Sequence, residues 1–109
     1  MHEHVLCDLA PPELRKSNAA EEEITLENCW KIRHHWAGHR DNCRLDDEAM
    51  ARDELTDLHA SGGKALVELT VTGIAPDPEG LRRISSASGI HIIAGCGFYV
   101  EAARDDAWL

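Results

Sequence analysis

The chain lacks any apolar run near the roughly 20 consecutive residues a membrane helix needs. Its start shows no basic segment leading into a hydrophobic one, so neither a membrane partner nor a signal peptide is expected. Positive charge is scarce: 11 Lys and Arg stand against 20 Asp and Glu, a formal net charge of −9. Phosphate-backbone binding is driven by clustered Lys and Arg, so this balance argues against a nucleic-acid partner. Paired cysteines are missing too. Cys7, Cys29, Cys43 and Cys96 are scattered with no Cys-x-x-Cys, which disfavours a zinc ribbon or thioredoxin-type centre. Reduced, mostly buried thiols in a cytoplasmic protein are the expectation instead.

What remains is an ordinary globular composition, 43% hydrophobic and 28% charged over 109 residues. That suits one small domain with a modest core. The stretch that promises chemistry is Met1-His2-Glu3-His4-Val5-Leu6. Side chains alternate along a strand, so His2 and His4 would share one face and Glu3 the other. Two imidazoles one pleat apart can bind one metal ion, because the neutral ring offers a lone pair. The chain holds seven histidines, so His-x-His gains weight only from its context.

Asp8 to Glu23 contains Pro11-Pro12 and the acidic run Glu21-Glu22-Glu23, and reads as a long loop with a solvated acidic face. Thr25 can cap a helix to about His39, with Leu26, Cys29, Trp30 and Ile32 as its apolar stripe. His35 and His39 lie i, i+4 on that helix and Cys43 continues the row. The flanking Gly38, Arg33 and Arg40 favour a wet, mixed-charge surface over a zinc site there. A second helix spans Asp46 to Ser61, capped by Asp46, with a Leu45–Met50 staple, an inward face of Met50, Leu55 and Leu58, and Gly62-Gly63 as its stop.

Ala65 to Val71 is a nearly continuous apolar run, as expected of a parallel strand buried on both faces. Glu68 within it must therefore be paired, ligated or protonated. A short helix follows, with Asp77 as cap, Pro78 in its first position, Leu81 and Ile84 inward and Gly89 as stop. Ile90 to Ala94 is the next strand, and Gly95-Cys96-Gly97 lets the backbone turn sharply before Phe98 and Tyr99. Buried strands alternating with helices imply parallel βαβ units, whose ligands bind at the strands' carboxyl ends.

Taken together, His2-Glu3-His4 with Asp8, Gly62-Gly63 through Val67-Glu68-Leu69-Thr70 to Gly73-Ile74, Asp77-Pro78-Glu79-Gly80-Leu81, and Ile92-Ile93-Ala94-Gly95-Cys96-Gly97-Phe98-Tyr99 resemble the N-terminal part of the phosphotriesterase-like family of the amidohydrolase superfamily. The resemblance implies a partial (β/α)₈ barrel, an α/β fold represented here by its first three parallel strands with intervening helices. Residues 1–109 would form one N-terminal portion, since a whole barrel takes roughly 250 residues. It implies that His2 and His4 are ligands to one of two metals, usually zinc, and that Tyr99 faces a small-molecule ester substrate. The implied activity is zinc-dependent hydrolysis of phosphotriester, lactone or related ester bonds, with metal ions activating water and polarising the scissile bond.

The same resemblance requires a bridging carboxylated lysine, two more histidines and an aspartate from later strands. Lys16, Lys31 and Lys64 are misplaced for the bridge. An Arg commonly found before the aspartate is also absent from Gly73-Ile74-Ala75-Pro76-Asp77. The alternative expectation is therefore a truncated, catalytically inactive α/β fragment, able to form a homo-oligomer through its open sheet edge. A third reading places a small metal module at His35, His39 and Cys43.

Overall fold

In the computed structural model, which describes residues 3–17 and 21–103, the core assembles around two helices that end where their caps dictate. Helix α3 spans Glu48–Ala60 and α4 spans Pro78–Ser88. Asp77 caps α4 by accepting the Gly80 N–H at 2.9 Å, and Pro78 opens the helix where a missing N–H costs nothing. Gly89 closes it in the left-handed conformation, φ 77°, and donates its N–H to the Ser85 carbonyl. Asp47, not Asp46, caps α3, accepting from the Ala49 and Met50 N–H groups. Cap choice between adjacent aspartates depends on which one has extended backbone, and Arg44 meanwhile holds Asp46 at 3.1 Å.

Strands β3 (Ala65–Glu68) and β4 (His91–Ala94) pair in parallel, Ala65 opposite His91 through Glu68 opposite Ala94. The two helices cover one face of this pair. Leu6, Leu55, Leu81, Ile84 and Ile90 form the buried cluster, with Val5, Ala51, Leu66 and Ile92 packed on it. The other face is open: Val67 and Ile93, paired across the strands, are 43% and 58% exposed. The apolar run is therefore covered on one side only, which corrects the expectation of burial on both. On α3 only Leu55 is buried, while Met50 and Leu58 of the expected inward face remain exposed.

Among the described residues the opening segment joins this sheet by one parallel bridge, Glu3 to Glu68, with the Leu69 N–H donating to the Glu3 carbonyl at 2.9 Å. The described part of the expected third parallel strand is thus one bridge long. The ladder stops there because the Val5 N–H turns to the Glu68 side chain instead of a neighbouring carbonyl. Cys7–Asp8 (β1) then pairs antiparallel with Arg44–Leu45 (β2) in a second small sheet. The architecture is mixed α/β.

Two expectations between β1 and β2 are corrected. The stretch expected to be loop holds a short helix, α1, Pro12–Arg15, which starts within the proline pair and does not run across it. The helix foreseen from Thr25 to His39 shrinks to α2, Cys29–His34, followed by single 3-10 turns at Trp36–Gly38 and Asp41–Cys43. Leu26, Trp30 and Trp36 are all more than half exposed. Burial of the stripe therefore does not extend the helix. Asn28, itself buried, shapes the turn before α2 by accepting from the Thr25 N–H and donating to the Glu23 carbonyl. Among the described residues no helix is long and apolar enough to cross a membrane.

Candidate functional site

The polar centre of the molecule lies at the carboxyl end of β3. Glu68 is fully buried, a position that costs several kcal/mol unless its oxygens find donors. They find three. The Val5 N–H donates to Oε1 at 3.3 Å, the Thr70 N–H to Oε2 at 3.0 Å, and the Thr70 hydroxyl to Oε1. Glu68 thus fastens the opening segment to β3 through a side-chain bond in addition to the backbone bridge at Glu3. Thr70, also buried, holds the next group: its Oγ1 is 2.9 Å from His4 Nδ1. His4 Nδ1 is in turn 4.0 Å from Glu68 Oε1.

These contacts test His4 as a metal ligand. A ligating histidine generally hands its second ring nitrogen to an oxygen partner, which fixes the ring's orientation. The His4 Nδ1 contact with Thr70 is of that kind, so the donor chemistry at His4 fits. His2 lies outside the described residues. Among the described residues, no three His, Cys, Asp or Glu side chains converge to hold a metal ion.

Tyr99 reaches the same end of the sheet one step further on. Thr72 bridges Phe98 in parallel, and the Tyr99 N–H donates to the Thr72 carbonyl at 2.8 Å. Thr70 therefore meets His4, and Thr72 meets the segment that carries Tyr99. Tyr99 is 38% exposed. His4 itself lines a cavity of about 530 Å³ with Glu3, Val5, Arg44, Met50 and Leu66 among others, and Tyr99 is not part of that lining.

The His35, His39 and Cys43 row is not brought together. Helix α2 ends at His34, His39 is extended with Nε2 at 2.7 Å from the Glu22 carbonyl, and Cys43 is buried with its thiol donating to the Trp36 carbonyl. Burial pushes the Cys7 and Cys43 thiols above their ordinary pKa, helped by the charge of Glu68 at Cys7 and of Asp8 at Cys43. Protonated thiols are poor ligands and poor nucleophiles. All four cysteines are free.

The missing arginine before Asp77 leaves no gap in hydrogen bonding. Asp77 caps α4 and has the Arg83 guanidinium at 3.9 Å. From α1, Arg15 donates to the carbonyls of both Asp8 and Gly73, tying the end of β1 to the loop beyond β3. Glu68 was legible as a residue needing partners; Thr70 was not singled out. Its signal is its place two residues beyond Glu68, on the same face of an extended segment.

Comparison with known proteins gives the family. A model of the phosphotriesterase family matches residues 1–107. The chain is 39% identical over 108 residues to the N-acetyltaurine hydrolase of Homo sapiens, covering 94% of this chain and 31% of that protein. It is 38% identical over 111 residues to the N-acetyltaurine hydrolase of Mus musculus, covering 97% of this chain and 32% of that protein. Among solved structures it resembles the resiniferatoxin-binding protein from Rhodobacter sphaeroides, with a TM-score of 0.78 and 32% identity, over 98% of this chain and 31% of that one. The chain spans about a third of the length of the curated relatives it matches.

Proposed function

The chain belongs to the phosphotriesterase family, and on that premise we propose that it supplies the first-strand part of a metal-dependent hydrolase centre. In this reading the fold is the opening part of a (β/α)₈ barrel, in the order opening segment, β3, β4. His2 and His4 would hold one metal ion, zinc by family usage. When bound, such a metal polarises the scissile bond and lowers the pKa of water. The observation that supports the reading is His4 at the carboxyl end of β3, its Nδ1 already engaged by buried Thr70. Reactive groups in parallel α/β folds gather at that end.

What this chain's own residues do is narrower. Glu68 and Thr70 anchor the segment that carries His4, and Tyr99 is a wall residue for substrate. The substrate class is a small molecule with a hydrolysable phosphotriester, lactone or ester bond. The naming of relatives as N-acetyltaurine hydrolases adds an N-acyl amide as a candidate. A second reading is a catalytically inactive α/β fragment. Catalytic zinc normally takes three protein ligands.

Zinc titration of the purified chain, with hydrolysis of a phosphotriester, a lactone and N-acetyltaurine, tests both. The expected result is weak zinc binding, lost in His4→Ala, with no turnover by the chain alone. Zinc binding unchanged in His4→Ala overturns the ligand assignment. Turnover abolished by His4→Ala overturns the inactive-fragment reading.

A further inference from the structure

We propose that Glu68 is a positioning residue for His4, acting through the Thr70 hydroxyl to hold the imidazole in its Nδ1–H tautomer. The argument is a count of hydrogens. Both oxygens of Glu68 are occupied by donors: the backbone N–H of Val5 on Oε1, the backbone N–H of Thr70 on Oε2, and the Thr70 hydroxyl on Oε1. That is the acceptor-only pattern of a carboxylate. A threonine hydroxyl has one hydrogen, and with Glu68 as an acceptor-only carboxylate that hydrogen goes to Oε1. Towards His4, Thr70 Oγ1 can then act only as acceptor, so the hydrogen in the 2.9 Å contact belongs to Nδ1. In the neutral ring the lone pair then lies on Nε2.

The geometry also makes this relay hard to reverse. Glu68 and Thr70 are buried, at 0% and 3% exposure, so water does not offer Thr70 another partner at low cost. The two backbone donors come from different segments, the opening one and the turn just beyond β3, and each takes one of the two carboxylate oxygens. Sending the Thr70 hydrogen to His4 would leave an oxygen–oxygen contact between Thr70 and Glu68 with no hydrogen in it. A glutamine at position 68 would make the reversal possible. With its NH₂ placed where Oε1 stands, it would donate to Thr70 Oγ1 and lose only the longer bond from Val5. The threonine hydrogen would then turn to Nδ1 and the ring proton would move to Nε2.

The consequence for function rests on the reading of His4 as a metal ligand; the tautomer itself does not. The test is the ring ¹⁵N spectrum of the full chain carrying labelled histidine, with His4 assigned by its loss in His4→Gln. Wild type is expected to show His4 protonated at Nδ1. Thr70→Val, close in shape but without the hydroxyl, is expected to shift the population towards Nε2–H, and Thr70→Ser to restore Nδ1–H. Glu68→Gln is expected to reverse the tautomer. An Nε2–H ring in wild type, or a Thr70→Val protein that is folded by circular dichroism and keeps the wild-type tautomer, overturns the proposal. So does a serine variant that behaves like valine. Zinc titration then separates the two claims: Thr70→Val should weaken binding roughly 10- to 100-fold, as loss of an outer partner of a ligand does. Unaltered zinc binding in His4→Ala would sink the ligand reading while the spectrum still decides the tautomer.

Discussion

Gly80 sits in the first turn of α4, where alanine would ordinarily be the better helix former by about 1 kcal/mol. The structure predicts the opposite outcome for Gly80→Ala. A Cβ built there would lie 2.5 Å from Asp77 Oδ2, 2.9 Å from Asp77 Cγ and 2.7 Å from Leu6 Cδ1. Neither neighbour moves freely. The Asp77 carboxylate is the cap of the helix, bonded to the Gly80 N–H at 2.9 Å, and Leu6 belongs to the buried cluster. Loss of a cap costs about 1 kcal/mol, and overpacking of a core costs about 1–3 kcal/mol. Against the gain in helix propensity, the net expectation is a destabilisation of about 1–3 kcal/mol. Urea unfolding should show a lower midpoint at unchanged slope, and Tm should fall by at least ~4 °C. Because Leu6 lies two residues from His4, the strain enters the candidate site through the backbone of the opening segment. Asp77→Ala combined with Gly80→Ala should cost less than the two changes added, since the carboxylate that clashes is gone. A Gly80→Ala protein as stable as wild type would refute the reasoning.

The remaining expectations concern charge and thiols. Arg83 hydrogen-bonds Glu48 across α4 and α3, which holds the Glu48 carboxyl below its ordinary pKa. A carboxyl lowered in the folded state contributes stability above its unfolded pKa and loses it as pH falls through the folded value. Arg83→Gln should therefore reduce stability at neutral pH slightly and flatten the acid side of the pH–stability curve; an unchanged acid limb would count against the pair. Thiol labelling of the native chain should proceed fastest at exposed Cys96, with Cys7 and Cys43 blocked by burial and raised pKa until unfolding. Early labelling of Cys7 would contradict its place in the structure.

Local signals were readable where they act over a few residues. Asp77, Pro78 and Gly89 bound α4 as their chemistry requires, since a cap, a ring-locked φ and a left-handed glycine need no distant partner. Glu68 was identifiable as a residue that had to be satisfied, because an apolar run cannot solvate a carboxyl group. The shortened α2 and the exposed Met50 were not readable. An apolar stripe states that a face is available for packing, and only the arrangement of other elements decides whether anything covers it.

The amino-acid order alone determined the caps of α4, the parallel strand pair, the His-x-His spacing and the need for partners at Glu68. Tertiary structure decided who those partners are: the Val5 N–H from a segment 63 residues away, and Thr70, which passes the contact on to His4 across 66 residues. Hydrogen bonds between groups so distant in the chain depend on how the opening segment lands beside β3. No pattern within either segment encodes that landing; the packing of Leu6 among Leu55, Leu81 and Ile84 does.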